Sequence, residues 1–259
     1  MTPEKYSQTK ASLLELGGQR VWSLMVTIFG DLAQAQDNLI DGPTLSAIMN
    51  EMDVRPEAVR VALHRLRNDG WIMSQKQGRT RLHALTPKSR AESLTASARI
   101  YANPALPKNA NWQLVILETS ASHSREKMAK RGFVALLPRV YFGEADANPP
   151  LNALTIQGGQ APEWLARQLL SQSLEDDYNA LLPVLETVAQ NLREGTLDSL
   201  QVAALRCLIV HNWRRIVLRQ PHLPASLLPE NWVGYRCHVL VDQLLAQLPR
   251  PAIADILPN

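Results

Sequence analysis

A chain of 259 residues, 46% hydrophobic and 20% charged, has the makeup of a globular protein with room for two or three small domains. No apolar run reaches the roughly 18 residues of a membrane span, and Met1-Thr2-Pro3-Glu4-Lys5 has neither the apolar core nor the cleavage pattern of a signal peptide. Cys207 and Cys237 lack CxxC spacing, which argues against a zinc ribbon and fits a reduced cytoplasm. The formal charge of +3 is unevenly spread: residues 1–90 hold 12 Lys and Arg against 9 Asp and Glu, whereas residues 91–259 hold 15 of each. Residues 55–90 alone carry nine basic side chains against Glu57 and Asp69. Such a concentration attracts a polyanion better than the net charge implies.

In chain order, Val21, Leu24, Met25, Ile28 and Leu32 recur at helical spacing and predict an amphipathic helix. Leu39-Ile40 reads as a short strand. Asp41-Gly42-Pro43-Thr44 starts the next helix, with a capping side chain and a proline in the first turn. Leu45, Ile48, Met49 and Met52 give that helix its apolar face. Asp53-Val54 is a turn, and Pro56 opens a third helix. At 100° per residue, Val59, Ala62, Leu63 and Leu66 share the inner side of this helix. Arg60, His64 and Arg67 form an outer stripe, flanked by Glu57 and Val61. Arginines so placed can bond bidentately to guanine edges or clamp phosphates. Arg65 sits off the stripe, as a phosphate contact would.

After Gly70 and Trp71 a β-hairpin is expected, turning at Lys76-Gln77-Gly78-Arg79, where glycine is free to take positive φ. Arg79, Arg81 and His83 alternate on one face of its second strand, with Leu82 and Ala84 on the other. A helix over Ser89–Tyr101 and a linker at Asn103-Pro104-Ala105-Leu106-Pro107 follow. The middle of the chain then reads as strand (Trp112–Glu118), helix (Ser122–Arg131), strands (Gly132–Leu136, Arg139–Gly143, Leu151–Ile156) and helix (Pro162–Leu170), an order suggesting a small ferredoxin-like α+β domain. Gly158-Gly159 reads as a turn. Beyond Leu174 the spacing is helical: Leu181, Leu182, Leu185, Val188, Ala189 and Leu192 outline one helix, and Leu205, Leu208, Ile209 and Ile216 another. Asn212 and Arg219 fall on that second apolar stripe. They serve either as polar anchors of a ligand pocket or as donors to loop carbonyls.

Two segments carry a family resemblance. The first is Val59-Arg60-Val61-Ala62-Leu63-His64-Arg65-Leu66-Arg67-Asn68-Asp69-Gly70-Trp71 with Gly78-Arg79. The second is His211-Asn212-Trp213-Arg214-Arg215, Arg219-Gln220-Pro221-His222-Leu223-Pro224 and Leu227-Leu228-Pro229-Glu230-Asn231-Trp232-Val233-Gly234. In order and spacing these resemble the PaaX family, bacterial repressors of phenylacetate catabolism; Gln220 stands where that family usually has an acid. The resemblance implies a middle domain similar to Cas2-like proteins and an aryl-CoA effector such as phenylacetyl-CoA.

The expected architecture is therefore α+β. A winged helix-turn-helix occupies 1–88, a linker helix and loop 89–110, a ferredoxin-like (Cas2-like) domain 111–172 and a helical domain 173–259. The expected function is a homodimeric, ligand-released repressor on double-stranded operator DNA, with no cofactor and no catalytic residues. Candidate DNA contacts are Arg55, Arg60, His64, Arg65, Arg67, Lys76, Arg79 and Arg81. Candidate effector contacts are Asn212, Arg215, Arg219 and Trp232. Two alternatives are a Cas2-like metal-dependent nuclease, for which Glu118 is the one suggestively placed acid, and a CoA-thioester-binding protein without DNA binding. One carboxylate is a poor divalent-metal site. His123, His211, His222 and His238 lack the spacing of metal ligands.

Overall fold

The computed structural model describes residues 1–18, 20–104, 111–118, 123–159, 163–193, 195–221, 223, 228 and 231–257. In chain order the elements are α1 (Pro3–Glu15), α2 (Val21–Leu32), β1 (Ile40–Asp41), α3 (Gly42–Glu51), α4 (Pro56–Asn68), β2 (Ile72–Gln77), β3 (Thr80–Leu85) and α5 (Pro87–Ile100). There follow β4 (Trp112–Ile116), α6 (His123–Lys130), β5 (Val134–Leu137), β6 (Val140–Glu144), β7 (Leu154–Gly158), α7 (Glu163–Leu169), α8 (Gln172–Leu192), α9 (Ser199–Val217), α10 (Val233–Gln247) and α11 (Ile253–Ile256). The chain is mixed α+β, with two antiparallel sheets ordered β1-β3-β2 and β5-β6-β4-β7. None of the described helices is long and apolar enough to cross a membrane.

The chain divides into two compact units. One gathers Met1–Asn103, Asn179–Leu218 and Cys237–Asn259; the other gathers Pro104–Tyr178 and Arg219–Arg236. This grouping differs from consecutive domains cut at residues 88, 110 and 172, and α9 supplies the reason. Ala203 to Trp213 is buried without a break. A helix apolar all round needs neighbours on every side, and α9 finds them in α1, α2, α3, α5 and α11.

In the first unit, the inner faces expected from spacing are the buried ones. Leu24, Met25 and Ile28 of α2, Leu45, Ile48 and Met49 of α3, and Val59, Ala62 and Leu66 of α4 form its core. Leu63 stays only half-buried. Asp41 caps α3, its carboxylate accepting from the Thr44 N–H and hydroxyl, both at 2.8 Å. Helix α1 has too thin an apolar face to be predicted from spacing. It is capped by Thr2, carries Pro3 in its first turn and buries only Tyr6, Thr9 and Leu13.

Polar groups join α9 to the head. The Asp31 carboxylate of α2, fully buried, accepts from Arg206 Nε at 2.6 Å and Nη2 at 3.0 Å, from Arg250 Nε at 3.0 Å and from the Tyr101 hydroxyl at 2.7 Å. Arg206 Nη1 also donates to the Leu245 and Leu248 carbonyls. Trp213 Nε1 donates to the Ile100 carbonyl at 2.9 Å, and Asn212 Nδ2 to the Leu13 and Leu208 carbonyls, both at 3.0 Å. At Gly18, with φ of +75°, any side chain would collide with the Arg215 guanidinium. His211 Nδ1 lies 3.1 Å from Thr27 Oγ1. Burial, aided by Arg214 and Arg215, holds the His211 imidazole down to about 3. Both thiols are buried, and burial pushes Cys207 up.

The second unit packs two cores against one sheet. Paired residues Val115 and Tyr141 face Met128 of α6 and Phe133; Leu114 and Phe142 face Leu165 of α7. Period-two alternation along β4 and β6 separates the faces. Gly143 lies where a side chain would strike the Phe133 ring. β7 begins at Leu154, after Pro149-Pro150, rather than at Leu151. Gly158 is not a turn residue: it ends β7 opposite Trp112, whose ring occupies the space a side chain would need. The Leu227, Pro229 and Glu230 part of the downstream motif and most of the 103–107 linker lie outside the described residues.

Two stability measurements follow. Asp31→Ala leaves Arg206 buried without its anion and is expected to cost about 3–5 kcal/mol in urea unfolding; a loss below about 1 kcal/mol would show the cluster to be dispensable. His211 must stay neutral in the fold while the unfolded imidazole protonates near its ordinary value. Its contribution is therefore complete above about pH 6.5 and declines as pH falls, with a slope approaching about 1.4 kcal/mol per pH unit. Urea midpoints between pH 7.5 and 5.5 should fall less steeply in His211→Gln than in the unaltered chain, and equal slopes would contradict the assignment.

Candidate nucleic-acid interface

Helix α4 is fixed from its inner side and open on its outer one. Pro56 sits in the first turn with Arg55 as an exposed N-cap residue. Val59, Ala62 and Leu66 are buried, while Arg60, His64 and Arg67 are exposed. Val61, 70% exposed, stands among them. An apolar side chain there can meet a thymine methyl group. His64 Nδ1 lies 3.2 Å from the Asn68 amide nitrogen. Arg65, off the stripe as expected, stacks its guanidinium 5.5 Å from the Trp22 ring centroid and lies 3.5 Å from the Asp69 carboxylate. Trp22 is the residue the spacing argument missed, because nothing in the sequence ties position 22 to position 65.

The hairpin continues the positive surface. Gly78 turns at φ +58°, and Lys76, Arg79 and Arg81 are all exposed. Lys76 pairs directly with Arg81 across the strands. Like charges in that position destabilise a hairpin in isolation. The Thr86 hydroxyl donates to the Gly70 carbonyl at 2.8 Å and the Ser89 hydroxyl to the Trp71 carbonyl at 2.5 Å, so α5 holds the base of the hairpin. His83 corrects the expected exposed row. It is buried, paired with Ile40 of β1, and its Nδ1 lies 2.8 Å from Ser74 Oγ. At the root β1 pairs beside β3 in the sheet and α3 packs against β3, which closes the face that is open at the tip. Burial first, then Arg67 and Arg81, lowers the His83 imidazole below its ordinary value.

Two models of one family match the chain: one of PaaX-like proteins over residues 20–89, and one of the PaaX-like protein C-terminal domain over residues 170–255. The chain belongs to the PaaX family. Among curated relatives, the transcriptional repressor PaaX of Escherichia coli (strain K12) is 23% identical over 264 residues, covering 90% of this chain and 82% of the relative. Among solved structures, the uncharacterized protein Rv0674 from Mycobacterium tuberculosis shares the fold, with a TM-score of 0.53 at 18% identity over 87% of this chain and 94% of its own.

The four effector candidates of this PaaX-family chain have different surroundings. Asn212 is buried with its amide donated to two carbonyls. Arg215 donates to the Gly17 carbonyl. Arg219 lies past the end of α9, exposed and paired with Asp177 rather than on an apolar stripe. Trp232 is buried edge-on against Tyr178. The Tyr178 hydroxyl donates to Gln220 at 2.5 Å. His238 Nε2 lies 2.7 Å from the Ala102 carbonyl and its ring stacks near Trp213. His222 and the side chain of His123 lie outside the described residues. Glu118 lines a shallow cleft with Lys127, Arg131 and Asn152. No group of three or more His, Cys, Asp or Glu side chains gathers among the described residues.

The cationic surroundings of His83 can be measured by NMR. Its imidazole should titrate below 6.5, and Arg67→Ala and Arg81→Ala should each raise that value by removing a repelling charge. A value unmoved by both changes would place the two guanidinium groups away from the ring.

Proposed function

We propose that this PaaX-family transcriptional regulator represses a phenylacetate-type catabolic operon by binding operator DNA as a homodimer, and that an aryl-CoA thioester such as phenylacetyl-CoA releases it. In this reading α2, α3, α4 and the β2–β3 hairpin are a winged helix-turn-helix with α4 in the major groove. The second unit is a ferredoxin-like, Cas2-like fold. Its βαββ start and antiparallel order support that, although α7 follows β7 instead of preceding it as in the βαββαβ arrangement.

The observation that carries the reading is the outward row Arg60, His64 and Arg67 on a helix whose opposite side is buried, continued by Lys76, Arg79 and Arg81. A polyanion removes the repulsion between Lys76 and Arg81 that water alone does not. Arg55 and Arg65 flank the row, where backbone phosphates would lie. One such helix reads only a few base pairs, so a two-fold dimer on two half-sites gives the site length an operator needs.

Binding to the neighbouring promoter, followed by fluorescence anisotropy over a salt series, tests this. Arg60→Ala and His64→Ala should weaken specific binding more than non-specific binding, by about 1–3 kcal/mol for a base-reading arginine. Arg79→Ala and Arg81→Ala should weaken both alike and lower the salt slope by about one each. Relaxed base preference in the hairpin variants would reverse the division of labour between helix and wing, and absence of salt-dependent binding would reject the function.

A further inference from the structure

A cavity of about 450 Å³ lies inside the first unit, walled by α2, α5 and α9 and by Trp71 in the turn after α4. The volume is typical of small-molecule sites, which are mostly apolar with a few convergent polar groups. Here Trp22, Val26, Ile100 and Leu218 supply apolar wall, and Arg214 supplies the polar group. Arg214 Nη2 donates to the Ser23 carbonyl at 2.9 Å and hydroxyl at 2.7 Å, holding the guanidinium against α2. Its Nε is buried without a hydrogen-bond partner among the described residues, and no carboxylate pairs with it there. Asp31 also lines the cavity, but its oxygens are taken by Arg206, Arg250 and Tyr101. Glu92 is exposed. A buried donor left unused is costly.

We propose that this cavity seats the acyl end of an aromatic carboxylic acid, free or thioester-linked. The ring lies against Trp22, Val26 and Trp71, and the carboxylate or carbonyl oxygen accepts from Arg214. The aromatic acyl class rests on the function proposed above; the cavity and its unused donor do not. The volume suits an arylacetyl group and leaves no room for the coenzyme A portion in addition, which stays outside.

The site touches both supports of the reading helix. Trp22 carries the Arg65 guanidinium on its ring. Trp71 joins α4 to β2: its N–H donates to the Leu66 carbonyl at 2.8 Å, and its carbonyl accepts from the Thr86 N–H at 3.1 Å. A ligand that prefers one setting of these two rings biases α4 and the hairpin together.

Calorimetric titration of the full chain without DNA tests the proposal with three probes: phenylacetate, phenylacetyl-CoA and coenzyme A. One of the first two is expected to bind and coenzyme A alone is not. Binding of the free acid identifies a carboxylate on Arg214; binding of the thioester only identifies a carbonyl. Arg214→Met and Ala96→Phe should each weaken binding at least tenfold. Ala96→Phe fills the cavity from α5 and leaves Arg214 with its Ser23 contacts, so it decides the matter if Arg214→Met fails to fold. Binding of neither acyl probe overturns the proposal, as does equal binding of coenzyme A. Phenylacetyl-CoA binding that survives Ala96→Phe leaves the effector class standing and removes the site. A failure of operator binding affects none of these titrations.

Discussion

One buried carboxylate ties three stretches of chain to its own helix. Asp31 sits on α2, beneath the helices expected to meet DNA, and it is answered by Arg206 of α9, Arg250 near the last helix and Tyr101 at the end of α5. Taking that charge out of water costs several kcal/mol, offset only by good geometry and full hydrogen bonding. The geometry here is bidentate from Arg206, and the spare donor of Arg206 goes to the Leu245 carbonyl of α10 and the Leu248 carbonyl just past its end. The apolar surface of α9 contributes most of the stability. Asp31 contributes selectivity of register, because a slide of α9 by one turn would keep apolar contacts but strand the carboxylate.

The rest of the first unit follows from using each element on one side only. α4 is anchored by Val59, Ala62 and Leu66, which frees its outer row from any structural duty. The hairpin makes the same division along its length instead of across it. At the root, His83, Ala84 and Leu85 are buried; at the tip, Lys76, Arg79 and Arg81 are exposed and crowd one another's charge. Burial first, and then the charges of Arg67 and Arg81, disfavour protonation of His83.

Local structure was legible in the sequence where apolar spacing and a capping residue agreed. β1, α3, α4 and the hairpin turn all lie where Asp41, Pro56 and Gly78 put them. α1 was not, because its face is thin: Tyr6 and Leu13 with a buried threonine between them. His83 lies on the face that alternation assigns to it, but alternation says nothing of what packs there, and α3 closes that face. Spacing offers Asn212 two roles, ligand anchor or donor to carbonyls, and only the fold shows its amide serving carbonyls of α1 and of its own helix. Arg214 was passed over beside Arg215 because the spacing gives no hint which of two adjacent arginines lines a cavity. The placement of 179–218 with the first hundred residues was beyond reach for the same reason.

That placement has a consequence for how the protein is made. A ribosome delivers Asp31 early, but Arg206 arrives only after the Pro104–Tyr178 part of the second unit, and Arg250 only after all of it. Until then α2 carries a carboxylate that has no reason to leave water, and the apolar bed for α9 is uncovered. The unit that carries α4 and the hairpin is thus begun first and completed last. A nascent or truncated chain ending before α9 lacks the helix around which the first unit packs.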